Sequence, residues 1–376
     1  MSTHAPALPR DRETRLSVTL SAYLGRLYLG WLVALFLAFF GIIVLANSVD
    51  LLDRLATKNV SLVRVIEMAL LKAPHIAMEV MPFLVLFSGL AIFTKLTRTH
   101  ELVVARAAGV SAWQFLFPVI FVVLGVGIFV ITLMNPISAT LLDRYERLEA
   151  RFVHNDDNLL AVSKTGLWLR QVAGGKHWVI HAQRVNQQAM TLYDVIVFKF
   201  DGPDAFQSRI DAKTAELQDG HWALTGAWVS QPGETSEFDE EVRIPTDFTR
   251  EKIFESFAPP ETISFWSLPE FIALLEEAGF SSQAHRLQFH RLLSLPLLLA
   301  AMILLSAVFS LKPHRRGRVG LSLMLGVLSG FLLYFLSNFV FALGLSGKIP
   351  VVLAAWMPAG VALMIGAALL LHLEDG

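Results

Sequence analysis

The chain has 376 residues, of which 54% are hydrophobic and 17% are charged. Its mean hydropathy of +0.55 is too high for most water-soluble proteins of this length, so the composition indicates a membrane protein. A net charge of −1 gives no electrostatic support for nucleic acid binding, and the absence of cysteine excludes disulfides and thiolate metal sites.

Six apolar stretches are each long enough for a helix that crosses a bilayer core of about 30 Å. They cover residues 27–46, 73–94, 107–142, 292–311, 319–347 and 349–371. Glu79 is the one acidic or basic residue that they contain. Pro74 and Pro82 predict a kink in the second stretch, and Asn135-Pro136 predicts the end of the third. The first stretch is longer than the apolar core of a signal peptide, so we expect a retained span.

Basic residues between the stretches predict how the spans are oriented. They cluster before the first stretch, between the second and third, and between the fourth and fifth, as Arg10, Arg12, Arg15, Arg26, Lys95, Arg98, Arg106, Lys312, Arg315, Arg316 and Arg318. These segments share one side if there are six spans, and we expect that side to be the cytoplasm. Residues 143–291, which hold most of the charged residues, then lie in the periplasm of a bacterium with two membranes.

The polar block between the third and fourth stretches has the pattern of a β domain. Runs rich in β-branched and aromatic residues alternate with glycine-containing turns at 174–175 and 219–220, which predict hairpins. Trp222 and Trp228 lie an even number of positions apart along one predicted strand, which predicts that both indoles lie on one face. Short strands with regular turns suggest a sandwich, a jelly roll or an open barrel. A capping-box sequence then predicts a helix over 269–278.

The chain has no phosphate-binding loop of its own, and two local patterns are compatible with other functions. A secondary transporter would use His75 and Glu79 as a proton relay, because ionisable groups within spans are often functional. The simpler interpretation places both near the outer end of a kinked span, within reach of water. Ser346 lies in a G-x-S-G sequence like that of intramembrane serine proteases, but His372 lies at the opposite end of the last stretch.

The arrangement as a whole resembles a known family. Three spans, a β domain and three further spans are similar to the LptF/LptG permeases of lipopolysaccharide export. The local similarity is strongest at 97–111, where an acidic residue precedes a short apolar run and a glycine, and it extends to 23–26 and 347–350. The resemblance covers residues 17–373, and the end of the chain is more similar to the LptG branch than to the LptF branch.

The resemblance implies an α-helical membrane protein with six transmembrane helices and an inserted periplasmic β-jellyroll domain. Its parts would be residues 1–142 with spans one to three, 143–266 with the β-jellyroll, and 267–376 with an interfacial helix and spans four to six. Family members pair with a paralogous permease, here LptF-like, and bind a cytosolic LptB-like ATPase dimer. They extract lipopolysaccharide from the bacterial inner membrane and pass it to periplasmic LptC-like and LptA-like bridge proteins. This chain would need no cofactor, because the partner binds ATP, and it would bind no nucleic acid.

The resemblance also implies a coupling helix over 97–109 that fits a groove on the ATPase. Glu101 matches the family's acidic residue and would pair with a basic group of the ATPase, while Leu102 and Val103 supply buried area. The alternative is that Glu101 pairs with Arg98, three residues away on its own helix.

Spans one and five line the substrate cavity in the family. The phosphates of lipopolysaccharide are expected to meet Arg54 and Lys58, just beyond span one, and its acyl chains to meet aromatic residues that include Phe36, Phe39, Phe331 and Phe335. Asp50 and Asp53 stand near the two basic residues. A solvated basic link is therefore the alternative for Arg54 and Lys58.

Overall fold

The computed structural model describes residues 18–56, 60–107, 110–149, 152, 159–163, 166–173, 176–186, 190–201, 205–246, 248, 259–277, 280–311 and 319–375. Its helices are α1 (Val18–Leu55), α2 (Leu62–Glu79), α3 (Met81–Arg98), α4 (Glu101–Ala107), α5 (Ala112–Phe129), α6 (Asn135–Glu149), α7 (Leu268–Glu277), α8 (Gln283–Ser310), α9 (Val319–Leu345) and α10 (Val351–Asp375). Within this part of the chain, six helical segments are long and apolar enough to cross a membrane, which confirms the predicted number. They are α1, α3, the continuous α5–α6 segment, α8, α9 and α10.

The second span differs from its predicted limits. A kinked helix over 73–94 was expected, but α2 ends at Glu79 and α3 begins at Met81. Pro82 lies in the first turn of α3, where a missing N–H breaks no helical hydrogen bond, so it begins a helix and does not bend one. Only α3 is a candidate span, and α2, which contains Pro74, is a separate helix.

The third span is also longer than predicted. Asn135-Pro136 does not end it, because α5 continues through a π-helical turn, Val130–Met134, into α6 and ends at Glu149. The last residues of this helix fall in the range that sequence analysis assigned to the β domain. Hydrogen bonding from Asn135 N–H to the carbonyl of Val130 shifts the register just before Pro136, so the helix passes the proline.

The π-helical turn also provides acceptors for the segment that returns from the β domain. The carbonyl of Thr132 accepts a hydrogen bond from Trp266 Nε1 at 3.2 Å, and Asn135 Oδ1 accepts one from the backbone N–H of Phe265 at 2.7 Å. The entry to the β domain and the exit from it are therefore joined at one place on the helix.

The membrane bundle has two interior helices and two peripheral ones. In α3 and in α8, 67% of the most apolar segment of the helix is buried inside the protein, whereas the buried share is 6% in α1 and 22% in α9. The core contains Leu84, Phe93 and Ile303, and α8 packs against α3, α5, α9 and α10. Gly127 of α5 lies so close to α8 that an added Cβ would be 2.7 Å from Pro296 Cα. Small residues allow this approach of two helix backbones.

In the described part of the insertion the strands form one antiparallel sheet of seven, which confirms the prediction of a β domain inserted between membrane helices. The strands are β1 (Leu159–Ser163), β2 (Gly166–Ala173), β3 (Lys176–Asn186), β4 (Thr191–Asp201), β5 (Ala205–Gln218), β6 (His221–Ser230) and β7 (Glu237–Pro245). Hairpins join β2 to β3 and β5 to β6 where glycine turns were predicted. The order of the strands in the sheet equals their order in the chain, because short connections pair consecutive strands. A jelly roll, by contrast, has Greek-key crossovers.

The sheet bends so far that its two ends meet. Gln171 of β2 is 1% exposed, and its Nε2 donates to the carbonyl of Pro245 at the end of β7 at 3.1 Å. The Thr246 hydroxyl donates to Gln171 Oε1 at 2.5 Å. In a flat sheet, strands five places apart would be separated by about 24 Å. The enclosed face holds the apolar core, which Leu275 of α7 and Phe280 complete.

Three residues, side by side on neighbouring strands of the sheet, have no partner in the strand pairing. These residues are Asp194, Lys213 and Gly226, and Asp194 and Gly226 have φ values of +55° and +66°. In β6 the side chains that join the apolar core therefore change from even-numbered to odd-numbered positions after Gly226. Trp222 is 1% exposed and Trp228 is 51% exposed, so the prediction that both indoles share one face is wrong. A left-handed residue in a strand rotates the following side chain to the other face.

A methyl group at Gly127 should separate α5 from α8. The atom it would meet, Pro296 Cα, belongs to the backbone and cannot rotate away. We expect Gly127→Ala to lower the free energy of unfolding by about 1–3 kcal/mol, measured as a lower midpoint of thermal denaturation in detergent. Gly125→Ala is the matched control, since nothing lies within 4 Å of a Cβ there. Equal midpoints for the two variants would contradict the close packing.

Candidate functional site

The segment that was expected to be one coupling helix is divided. Thr97 and Arg98 end α3, and α4 begins at Glu101, so the prediction of a continuous helix from 97 is wrong. The break is at His100, which has a φ of +60° and follows the C-cap Thr99. A left-handed residue after a cap ends a helix even where no glycine is present. The predicted closure at Gly109 lies outside the described residues.

Glu101 accepts hydrogen bonds from two neighbours. The Tyr23 hydroxyl donates to Oε2 at 3.2 Å, and the Thr99 hydroxyl donates to Oε1 at 2.9 Å. Within the described ranges no ion pair joins Glu101 to Arg98, so the alternative partner is not the one that the structure shows. Tyr23 belongs to α1, which makes Glu101 a link between the first span and α4. Sequence reasoning missed Tyr23, because 78 residues separate the two side chains.

The apolar side chains of α4 do not all face outward as predicted. Leu102 is 4% exposed and packs in the core of the membrane bundle, so it cannot supply surface to a partner in this conformation. Val104 is 68% exposed and is the largest exposed apolar side chain among the described side chains of α4. The side chain of Val103 is outside the described part of the structure. Arg98 is exposed at the end of α3.

Arg54, the predicted phosphate contact, is paired with carboxylates. It lies in the last turn of α1, and its guanidinium is 3.0 Å from Asp50 and 3.8 Å from Glu149. Its side chain remains 52% exposed, so these pairs are partly solvated and contribute little. Lys58, the second predicted contact, lies outside the described residues.

Aromatic rings join the two peripheral helices through α3. Ring centroids of Phe39 and Phe87 are 6.3 Å apart, those of Phe87 and Phe83 are 6.3 Å apart, and those of Phe83 and Phe331 are 4.9 Å apart. Two of the four predicted apolar contacts, on α1 and α9, therefore belong to one row of rings. Phe36 stacks on a ring of its own helix, and Phe335 is 69% exposed beside the row.

The residues behind the two alternative functions are also placed. His75 Nε2 lies 3.8 Å from Glu79 Oε1, but both belong to α2, which is not a candidate span. Burial lowers the pKa of His75, and the charges of Glu79 and Glu261 oppose this shift. The Ser346 hydroxyl donates to the carbonyl of Leu343 at 3.0 Å, the usual bond of a serine at a helix end.

Comparison with known proteins agrees with this architecture. Residues 22–372 match the model of the family described as "Lipopolysaccharide export system permease LptF/LptG". The chain is 22% identical over 351 residues to the lipopolysaccharide export system permease protein LptG of Haemophilus influenzae, covering 91% of this chain and 95% of that protein. It is 23% identical over 316 residues to LptG of Escherichia coli K12, covering 81% and 84%.

These similarities extend through the membrane helices and the sheet alike, since the matched range begins in α1 and ends in α10. Both relatives are LptG proteins, in agreement with the similarity seen at the end of the chain. With six candidate spans around an antiparallel sheet, the chain belongs to the LptF/LptG family of lipopolysaccharide export permeases.

Proposed function

We propose that this chain is the LptG-like subunit of an ATP-driven transporter that extracts lipopolysaccharide from the inner membrane. The family match over residues 22–372 is the observation that carries the proposal. ATP is bound by a separate ATPase dimer, and the second permease subunit is LptF-like. The sheet lies in the periplasm and passes the lipid to LptC-like and LptA-like bridge proteins.

The peripheral helices support the proposed pairing with a second permease. Both carry large apolar side chains that are exposed within this chain, among them Leu37, Ile42, Leu45, Leu328, Leu332, Phe335 and Phe339. A second subunit that met these faces would enclose an apolar space between the two chains, of the kind that acyl chains require. The row of rings from Phe39 to Phe331 would form part of the wall of that space.

Arg54 is the proposed contact for a phosphate of the lipid. Its guanidinium would exchange the carboxylates of Asp50 and Glu149 for the phosphate, with which it forms stronger, bidentate hydrogen bonds. Because the present pairs are solvated, this exchange costs little. Lys58 is proposed as a second contact on sequence grounds alone.

The α4 segment supports the proposed contact with the ATPase. Glu101 stands in its first turn and Val104 is exposed, so a charged group and an apolar group are available to a partner. A basic group of the ATPase would replace the Tyr23 hydroxyl at Oε2 of the carboxylate. The same exchange would release α1 from α4, which gives a physical path from the ATPase to the first span.

The compartment of the sheet can be tested by cysteine labelling, since the chain has no cysteine of its own. We expect an impermeant thiol reagent to label Asp219→Cys, in the turn between β5 and β6, in intact spheroplasts. Thr99→Cys, exposed at the end of α3, should stay unlabelled until the membrane is lysed. The opposite pattern would refute the proposed orientation.

The role of Glu101 can be separated from its bond to Tyr23. We expect Glu101→Arg to reduce ATPase co-purification about tenfold, because a like charge replaces a charge-assisted hydrogen bond. Tyr23→Phe is the matched control, since it removes the internal hydrogen bond and keeps the carboxylate. It should retain the ATPase at the wild-type level. An equal loss in both variants would mean that Glu101 acts by holding α1 and not by binding the ATPase.

Contact with the transported lipid can be tested by photo-crosslinking. A benzophenone amino acid in place of Phe335, which is 69% exposed on α9, should form an adduct with lipopolysaccharide in the assembled complex. Phe115 is the control, because it is 2% exposed within the bundle and should form none. Adducts at neither position, or equal adducts at both, would count against the proposed lining of the cavity.

A further inference from the structure

A cavity of about 120 Å³ lies inside this subunit, between α2, α3, α6, α8, α9, α10 and the 3-10 turn Pro260–Thr262. None of the four aromatic residues proposed to meet the substrate lines it, and neither does any residue of α1. Its lining therefore differs from the residues proposed above to line the space that two subunits would enclose, although α9 contributes to both. A cavity needs about 10–15 Å³ to hold each water-sized group, so this one holds on the order of ten.

Two buried polar groups in the lining of the cavity have no hydrogen-bond partner among the described residues. Gln288 is 8% exposed, and its Oε1 has no hydrogen-bond partner in the described part of the chain. The hydroxyl of Ser337, across the cavity on α9, is likewise buried and unpaired among the described residues. Each such group destabilises the folded protein unless a bound molecule satisfies it.

The end of the cavity at Gln288 carries charges of both signs. Arg291 of α8 has no carboxylate within 4.0 Å in the ranges that the structure describes, and its guanidinium packs 4.8 Å from the centroid of the Phe341 ring. Glu79 and Glu261 also line the cavity, so it is not a simple anion site. An anion for Arg291 and a cation for the two carboxylates can come from one zwitterionic group.

The other end of the cavity is apolar. Along α8 the lining changes from Gln288 and Arg291 to Leu295, Leu298 and Met302. From Gln288 to Met302 the helical rise is about 21 Å. A ligand that satisfies both ends has a charged head and a hydrocarbon tail, which is the chemistry of a membrane lipid.

We propose that this cavity binds a phospholipid with a phosphate and a primary ammonium in its head group, as a resident lipid and not as transported cargo. The phosphate meets Arg291, the ammonium meets Glu79 and Glu261, and one acyl chain begins beside Leu298. The lipid satisfies Gln288 and Ser337 and fills the space between α8 and α9. The assignment does not depend on what the transporter carries.

The binding test uses the full chain, purified, stripped of lipid and then offered defined lipids in detergent. Phosphatidylethanolamine and phosphatidylglycerol with identical acyl chains are supplied at equal concentration, and bound lipid is measured by native mass spectrometry. We expect phosphatidylethanolamine to be retained about tenfold more, and soluble phosphoethanolamine to be retained poorly because it lacks the chain. Equal retention of the two lipids, preference for phosphatidylglycerol, or binding of lipopolysaccharide alone would overturn the proposal.

Two variants and a control locate the binding in the cavity. Arg291→Gln should reduce retention of phosphatidylethanolamine about tenfold, whereas Arg286→Gln should not, because Arg286 is 57% exposed on the same helix and pairs with Glu276. Ala355→Leu should also reduce retention, since it fills the cavity from α10 without a change in charge. Wild-type retention in both cavity variants would overturn the assignment. If either variant fails to fold, the comparison of lipids on the wild-type chain still decides it.

Discussion

Close packing of α8 against its neighbours is the contact on which the membrane part depends. α8 lies between α3, α5, α9 and α10, and its contact with α5 requires Gly127 opposite Pro296. Interior helices in a bilayer gain little from the hydrophobic effect and are held mainly by van der Waals contact between close backbones. A subunit built in this way has a firm centre and leaves α1 and α9 with free faces for a partner or a lipid.

The sheet obeys a different constraint, because its apolar face must be covered in water. The sheet bends until the buried Gln171 of β2 is hydrogen-bonded to Pro245 and Thr246 at the end of β7. Part of the remaining apolar face is covered by α7. Left-handed residues in a row across the sheet allow the bend, at Asp194 and Gly226. The result encloses a core within one meander and needs no second sheet.

Sequence reasoning succeeded where a feature depends on local pattern. Span number, the β2–β3 hairpin and the β5–β6 hairpin follow from apolar length and turn residues. It failed where one residue changes the geometry. Gly226 reverses the faces of β6, and His100 ends α3 without the glycine that usually signals such an end.

Contacts between distant parts of the chain were beyond the reach of pattern altogether. The sequence around Tyr23 or Glu101 does not predict the hydrogen bond between them, because this bond depends on how α1 packs beside α4. The same holds for the cavity, whose lining comes from six α-helices and a 3-10 turn and whose polar residues look ordinary one at a time. The sequence predicted the elements well, and their mutual placement had to come from the structure.

The helix from Ala112 to Glu149 acts mechanically as a lever arm. Its 38 residues reach about 57 Å, against about 30 Å for the hydrocarbon core, so nearly half of it projects toward the sheet. The return segment is fastened to it at Thr132 and Asn135. A tilt of one degree about its inner end moves its tip by about 1 Å. A tilt of about three degrees would displace the tip, where the β domain begins, by about the length of a hydrogen bond.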